Sequence, residues 1–319
     1  MTFTHRPVLL AEAVTSVLGC SDQTEIASST KKIIDGTFGR GGHSRLILSK
    51  LNLQSQLIAF DKDLQAIAES KKIHDSRFQI IHDSFASMEE HIEIETVDGI
   101  LLDLGISSPQ VDDPDRGFSF RQDGPLDMRM DTTRGMSAAE WLANAEQNEI
   151  ARVIKEYGEE RFALQIAKAI ITRREQGESL TRTRELATLV ASVVRTREAG
   201  QDPATRTFQA IRIYINQELT DLENGLRAAF TCLKPSGLLA VISFHSLEDR
   251  IVKQFMQGLA HIEVPRGLPL TQEQMPKPFA ELLARIKPSA EEIKENPRSR
   301  SAILRVMRKI KSQNGGRQL

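Results

Sequence analysis

A glycine-rich turn between an apolar run and a helical pattern constrains this sequence more than any other feature. Residues 31–50 read KKIIDGTFGRGGHSRLILSK, in which Ile33 and Ile34 end a short apolar run typical of a buried strand. A helical pattern begins at Ser44, directly after the glycines. Glycine lets the backbone approach a ligand closely, and a helix N-terminus presents unpaired N–H groups. This order of elements indicates a nucleotide-binding βα unit.

The next apolar run ends in an acid. Residues 57–61 read LIAFD, which predicts a second strand that ends at Asp61. An acid about twenty residues after such a glycine turn is where a ribose diol is held by paired hydrogen bonds. The alternative for Asp61 is a helix-capping or turn acid without a ligand.

Strand and helix patterns alternate over the first third of the chain. After the first strand we predict strands at 57–61, 78–82 and 97–103, with helical patterns between them. This alternation indicates an α/β fold with a parallel, doubly wound sheet. Ligands bind at the carboxyl ends of such strands. We therefore expect Gly41, Asp61, Phe85 and Asp103 to converge.

The alternation stops after Asp103. Residues 104–134 form a long aperiodic stretch, and residues 137–197 carry only helical spacing. One long amphipathic helix is predicted from Thr207 to Ala229, followed by strands at 238–244 and 301–307. Residues 21–30 and 265–297 are predicted to be irregular. We predict a cofactor-binding domain of residues 1–115 and 215–319 and an inserted helical substrate-recognition domain of residues 116–214.

Composition limits the possible partners. The chain has 319 residues and a formal net charge of −1, so any nucleic-acid binding must use local patches. The two cysteines, Cys20 and Cys232, lack metal or redox spacing, and no metal is expected. No run approaches the roughly 20 apolar residues of a membrane span. We expect a soluble, cytoplasmic protein.

Several motifs spread over nearly the whole chain match a known family. They are HRPVLLAE (5–12), DGTFGRGGH (35–43), DLGISSPQ (103–110), GFSF (117–120), PLDMRM (125–130), RTFQA (206–210) and SFHSLEDR (243–250). Together they resemble the MraW family of bacterial small-subunit ribosomal RNA methyltransferases. The resemblance implies a Rossmann-like class I S-adenosylmethionine-dependent methyltransferase sheet with an inserted all-helical domain.

The same resemblance implies a reaction and its partners. The methyl group of S-adenosyl-L-methionine would be transferred to N4 of a cytosine in the decoding region of 16S rRNA, within the small ribosomal subunit. Neither a membrane nor a metal is implied, and the oligomeric state is left open between a monomer and a homodimer. Two alternative functions are a nicotinamide oxidoreductase on the same sheet and an RNA-binding assembly factor with a vestigial cofactor pocket. The absence of a G-x-G-x-x-G spacing argues against the oxidoreductase.

The resemblance also implies the cofactor-binding residues. They are Gly41, Gly42, His43, Asp61, Phe85, Asp103 and Gln110. The glycines and His43 would line the methionine end, Asp61 would hold the ribose, and Phe85 would lie by the adenine. The alternative for His43 is a residue at the helix start without ligand contact.

Cytosine amines are poor nucleophiles, so the substrate side needs a clamp on the base. Amino-methyltransferases usually carry an acceptor-Pro-Pro-aromatic element after strand four, where this chain has Ser107, Ser108, Pro109 and Gln110. An aromatic side chain must then come from elsewhere, since flipped bases are commonly stacked on one. The candidates are Phe118, Phe120 and Phe244, each of which is alternatively a core residue. Asp103 or His245 is the candidate to accept the proton of the amine.

Two groups of basic residues are candidates for RNA contact. One is a run near the C-terminus: Arg298, Arg300, Arg305, Arg308, Lys309 and Lys311. The other surrounds the insertion: Arg173, Arg174, Arg182, Arg184 and Arg206. A solvated charged face is the alternative explanation of such residues.

Overall fold

The computed structural model describes residues 7–19, 22–194, 202–261 and 277–310, without the side chains of residues 23, 25 and 27. The predictions on His5, Cys20 and Lys311 lie outside the described residues. Contacts divide the chain into two compact units, one formed by Met1–Gly105 with Leu219–Leu319 and the other by Ile106–Glu218. That the second unit recognises the substrate stays a prediction.

The first unit is built on a seven-stranded sheet. Its strands are β1 (Lys32–Asp35), β2 (Gln56–Asp61), β3 (Phe78–His82), β4 (Val97–Asp103), β5 (Leu233–Ser243), β6 (Ala280–Ile286) and β7 (Ile303–Lys309). The order is β3-β2-β1-β4-β5-β7-β6, with β1 to β5 parallel and β7 antiparallel to both neighbours. The predicted doubly wound α/β sheet is confirmed. β5 begins before its predicted start, and its pairing with β4 shifts in register between Val97 and Gly99.

Helices flank the sheet and make up the second unit. In chain order they are α1 (Leu10–Leu18), α2 (Gln23–Ser28), α3 (Gly42–Lys50), α4 (Leu64–Ser70), α5 (Met88–His91), α6 (Ser108–Asp112), α7 (Ala138–Asn144), α8 (Gln147–Gly158), α9 (Ala163–Glu175), α10 (Thr183–Val193), α11 (Thr205–Ile215), α12 (Glu218–Cys232), α13 (Ser246–Ala260) and α14 (Ala290–Glu295). Short 3₁₀ turns lie at Phe85–Ser87, Pro114–Arg116 and Pro297–Ser301. No described helix has both the length and the apolar character needed to cross a membrane.

Buried apolar side chains give each unit its own core. In the first unit Ile33, Ile34, Ile100 and Leu101 of the central strands are fully buried, because helices cover both faces of the sheet. The second unit buries the apolar faces of its helices around residues such as Trp141. The predicted all-helical character of the insertion therefore holds over its described residues, where the one β-bridge is isolated.

The predicted single helix from Thr207 to Ala229 is wrong, because the chain breaks it into α11 and α12. Gln217 adopts a left-handed conformation with φ 53° between the two helices. Asn216 stabilises the break, since its Nδ2 donates to Met128 O at 2.7 Å and its Oδ1 accepts from Met130 N at 2.7 Å. The apolar spacing continues across the break, which is why the sequence pattern did not reveal it.

Two stretches predicted to be irregular contain regular structure. The first is residues 21–30, where Asp22 accepts a hydrogen bond from Thr24 N at 2.8 Å and caps α2. The second is residues 265–297, whose described part contains β6 and α14. β6 is an outer strand whose side chains are mostly exposed, so it lacks the apolar alternation that identifies a strand.

Candidate functional site

The glycine turn between β1 and α3 leaves no room for a side chain at Gly41 or Gly42. Gly41 precedes α3 with φ 72°, and a Cβ atom there would lie 2.7 Å from Phe38 Cζ. A Cβ atom on Gly42 would lie 2.2 Å from Pro7 Cγ. Larger residues at either position would displace the turn. The turn of residues 36–41 joins the carboxyl end of β1 to the first amide groups of α3.

A fully buried carboxylate, Asp35, lies beneath this turn. Its Oδ2 accepts a hydrogen bond from Ser44 Oγ at 2.6 Å, and its Oδ1 accepts from Thr37 N at 3.2 Å. Thr37 Oγ1 in turn accepts from Asp103 N at 2.6 Å, which ties the turn to the end of β4. Burial raises the pKa of Asp35 to about 6.

Asp61 stands at the carboxyl end of β2, next to the same turn. Its Oδ2 accepts from Gly39 N at 2.7 Å, and its Oδ1 accepts from Asp63 N at 2.8 Å. Burial raises the pKa of Asp61 to about 6, and the negative charges of Asp63 and Asp35 add to the shift. Each carboxylate oxygen keeps a further lone pair, so Asp61 can still accept two hydrogen bonds from a diol.

Asp103, at the end of β4, has an unsatisfied acceptor. Its Oδ1 is buried and has no hydrogen-bond partner among the described residues. Its Oδ2 lies 3.6 Å from His43 Nδ1. Burial raises the pKa of Asp103 well above its usual range, with contributions from Asp35 and Glu248. Burial also lowers the pKa of His43 to about 4, so its imidazole is neutral at pH 7 and does not compensate the carboxylate.

This set of groups fits S-adenosyl-L-methionine. The unpartnered Oδ1 of Asp103 suits an ammonium group, because a buried charge is stable only when paired. The free lone pairs of Asp61 suit a ribose, and the first amides of α3 suit a carboxylate. Phe85 follows β3 and is half-buried against the core of the first unit. Among the described residues no group of three His, Cys, Asp or Glu side chains could hold a metal ion.

Phe244 and His245 lie where β5 leads into α13, and Glu248 organises both. Glu248 Oε2 accepts from Phe244 N at 2.8 Å and from His245 N at 3.3 Å. The two ring nitrogens of His245 also face Glu248, with Nε2 3.2 Å from Oε1 and Nδ1 3.5 Å from the Glu248 amide. This geometry favours a helix-capping role for His245 over proton acceptance.

The remaining predicted site residues belong to the second unit. They are Ser108, Pro109, Gln110, Phe118, Phe120 and Arg206. Ser107 and Gln110 form a capping box at the start of α6, in which Gln110 Oε1 accepts from Ser107 N at 2.8 Å. That Gln110 completes the cofactor pocket stays a prediction.

The aromatic candidates of the second unit pack inward. Phe118 is 7% exposed within the core, and the ring centroid of Phe120 lies 4.8 Å from that of Phe208 in an edge-to-face contact. Both arrangements favour the core alternative. Phe244 is half-buried in the first unit and remains the better candidate to stack on a base.

The basic run near the C-terminus is not one charged face. Lys309 is buried and donates to Phe230 O at 2.9 Å and Leu233 O at 2.7 Å, so its ammonium group is exposed neither to RNA nor to solvent. Arg305 forms two hydrogen bonds with the Asp249 carboxylate, at 2.7 and 3.0 Å. Arg308, directly before Lys309, points to the opposite face of β7 and is exposed, because successive side chains of a strand alternate between its faces.

Sequence reasoning missed three residues that build the site: Asp35, Thr37 and Glu248. Asp35 ends its strand as Asp61 and Asp103 do, so the same criterion would have found it. Glu248 stands three residues after His245, the spacing of a capping box.

Comparisons with known proteins agree with the chemistry of the site. The model of a family described as the MraW methylase family matches residues 2–310. A ribosomal RNA small subunit methyltransferase H from Polynucleobacter asymbioticus is 63% identical over 310 residues, which cover 97% of this chain and 98% of the relative. A protein of the same name from Janthinobacterium sp. is 60% identical over 313 residues, which cover 97% and 95%.

Among solved structures, a SAM-dependent O-methyltransferase from Thermotoga maritima matches with a TM-score of 0.39 and 9% identity, over 92% of this chain and 64% of the other.

The family match confirms S-adenosyl-L-methionine as the cofactor and the Rossmann-like methyltransferase sheet as the fold class. Since the match extends over nearly the whole sequence, this chain belongs to the MraW methylase family.

Proposed function

We propose that this chain methylates N4 of a cytosine in the decoding region of 16S rRNA, within the small ribosomal subunit. The observation that carries the proposal is the full-length similarity to proteins named ribosomal RNA small subunit methyltransferase H. The unpartnered Asp103 carboxylate beside the glycine turn supports it, because the methyl donor carries an ammonium group. Family membership argues against the nicotinamide oxidoreductase.

On the cofactor side, residues of the first unit would bind and orient S-adenosyl-L-methionine. Asp103 holds the ammonium group, Asp61 holds the ribose hydroxyls, and Phe85 lies along the adenine. Asp35 keeps the turn closed through Ser44 and Thr37. When bound, S-adenosyl-L-methionine would supply a methyl group whose carbon is attacked in line by the nucleophile, so that the carbon–sulfur bond breaks and S-adenosyl-L-homocysteine leaves. Positioning of the amine then supplies most of the rate.

On the substrate side, the chain must hold a base whose amino nitrogen is a weak nucleophile. Phe244, in the first unit, stacks on the extruded cytosine. Arg206 contacts the RNA backbone. Because the amine loses its proton only after attack, a strong base is not required.

The direct test is methyl transfer to small subunits from cells that lack this enzyme. Purified subunits are incubated with the protein and labelled S-adenosyl-L-methionine, and the rRNA is digested to nucleosides. We expect the label in N4-methylcytidine. Label in another nucleoside would overturn the proposed target, and no label from a protein that binds the cofactor would favour the assembly-factor alternative.

The proton acceptor is tested in the same assay under single-turnover conditions. His245→Ala is compared with His245→Gln, which keeps a side chain able to cap α13. A rate that is lost in both variants would support proton acceptance by His245. A rate retained in His245→Gln would leave only the capping role.

A further inference from the structure

One carboxylate joins the two loops that are proposed to hold the adenosine half of the cofactor. Asp221 lies in the first turn of α12, and its Oδ2 accepts from Lys62 Nζ at 2.8 Å and from Ser84 Oγ at 2.8 Å. Lys62 directly follows Asp61, and Ser84 directly precedes Phe85. A single side chain therefore links the segment after β2 to the segment after β3.

The same face of α12 also receives the Phe85 ring. Gly225 lies four residues after Asp221, which places both on one side of the helix. A Cβ atom on Gly225 would lie 2.2 Å from Phe85 Cδ2 and 2.3 Å from Phe85 Cε2. The ring therefore packs against bare helix backbone, and its depth depends on the absence of a side chain at Gly225.

The ion pair between Lys62 and Asp221 is partly shielded from water. The side chains of Lys62 and Asp221 are 25% and 19% exposed, so solvent and salt screen their attraction less than that of a surface pair. His82 Nε2 lies 3.0 Å from Lys62 O and holds the same segment from the side of β3. Neither Lys62 nor Ser84 belongs to a strand, so sheet pairing does not fix their positions.

We propose that Asp221 and Gly225 are positioning residues that set the separation between Asp61 and Phe85, and with it the width of the slot for adenosine. This rests on the proposed assignment of Asp61 to the ribose and Phe85 to the adenine. The adenine ring and the ribose diol take no part in bond making or breaking at the methyl group. Contacts to them therefore stabilise the bound state and the transition state alike, and their loss raises KM without lowering kcat.

The test uses the full-length protein and two ligands that share the adenosine half. Affinities for S-adenosylhomocysteine and for 5′-methylthioadenosine, which lacks the amino-acid end, are measured by calorimetry. Asp221→Ala should weaken both by the same factor, roughly tenfold. In the methylation assay its KM for S-adenosyl-L-methionine should rise by that factor, with kcat within about twofold of the parent.

Gly225→Ala separates positioning from folding. Alanine is the better helix former by about 1 kcal/mol, which offsets the packing cost of moving the ring, so the thermal midpoint should change little. The added methyl group pushes the Phe85 ring outward, so both affinities should still fall. A loss of affinity in a protein of unchanged stability is a result that a merely structural role does not give.

Asp98→Ala is the matched control. Asp98 lies in β4 near its amino end, is 16% exposed, pairs with Lys234 and accepts from Lys32 N at 2.8 Å. It therefore resembles Asp221 in burial and in pairing with a lysine, but stands at the opposite end of the sheet. Its loss should leave both affinities unchanged.

Two outcomes would overturn the inference. The first is that both affinities stay within about twofold of the parent in Asp221→Ala and Gly225→Ala, while Asp61→Asn and Phe85→Ala lose them. The second is a fall in kcat as large as the rise in KM. If Asp61→Asn and Phe85→Ala themselves keep both affinities, the proposed adenosine site is wrong, and the inference is wrong with it.

Discussion

The two ends of the sheet in the first unit differ in whether their buried charges are paired with an opposite charge. At the carboxyl ends, Asp35, Asp61 and Asp103 form no ion pair with a Lys or Arg of the described chain, and burial raises the pKa of all three. At the amino ends, Asp98 pairs with Lys234, and the buried ammonium of Lys309 lies 3.1 Å from Glu95 Oε1.

This contrast separates binding from stability. Uncompensated carboxylates destabilise a folded chain, so they persist where a cationic ligand completes them. Compensated charges at the opposite end satisfy main-chain and side-chain partners and stabilise the fold. Mutations at the two ends should therefore have opposite effects on stability and on binding.

The largest effect on stability is expected from Lys309→Met. Its ammonium donates to Phe230 O, Leu233 O and Glu95, and all three lose their donor in the variant. We expect the free energy of unfolding to fall by about 3 kcal/mol. Urea denaturation measures this, and the affinity for S-adenosylhomocysteine at a temperature where the variant is folded should not change. A decrease smaller than about 1 kcal/mol would show that the buried ammonium contributes little to the stability of the fold.

At the carboxyl ends, Asp103→Asn should affect binding and not folding. Loss of the negative charge should weaken S-adenosylhomocysteine binding roughly a hundredfold, which corresponds to about 2.7 kcal/mol. Stability without ligand should stay the same or rise, because an unpaired buried carboxylate has been removed. A variant that unfolds as readily as Lys309→Met would contradict the contrast between the two ends.

The affinity for S-adenosylhomocysteine should depend on pH, with a smaller effect than the two substitutions but a definite sign. Burial raises the pKa of Asp103 in the ligand-free protein, and a bound ammonium lowers it, so binding releases a proton. Affinity for S-adenosylhomocysteine should therefore rise with pH, by at most about tenfold per unit, until Asp103 is ionised. Calorimetry in buffers of different ionisation enthalpy counts the released protons, and Asp103→Asn should release fewer.

The stability of the ligand-free protein should fall as the pH rises, whereas the affinity should increase. The pKa of both Asp35 and Asp61 is raised by burial from 3.8 to about 6, so the folded state holds their protons more tightly than the unfolded state does. Their contribution is fully present below about pH 4 and is lost as the pH rises through about 6. Unfolding measured across this range, with and without ligand, would show the two opposite slopes.

The sequence predicted the strands that carry consecutive β-branched or leucine residues. The strands at 78–82 and 97–103 were predicted with their observed bounds, since Ile80 and Ile81 in one and residues 100–102 in the other form short apolar runs flanked by polar residues. β6 was missed because Leu282 and Leu283, 42% and 39% exposed, give no alternation. The break at Asn216 was missed because its partners, Met128 and Met130, are far away in sequence.

The same distinction applies to the site. Asp61 and Asp103 could be predicted because each ends a strand, and the carboxyl ends of parallel strands meet. The burial of Lys309 could not be predicted, since its partner Glu95 is distant in sequence and its neighbours in the chain are also basic. Whether a charge is compensated is a property of the folded chain, which a single sequence does not display.

The position of the second unit in the chain has a consequence for synthesis. β4 and β5 are neighbours in the sheet, yet Leu101 pairs with Ala240, which is translated about 140 residues later. At typical elongation rates, roughly ten seconds pass between the synthesis of β4 and the synthesis of its partner β5. During that interval the nascent chain exposes an aggregation-prone strand. The nascent chain should therefore depend on a chaperone more than the folded, full-length protein does.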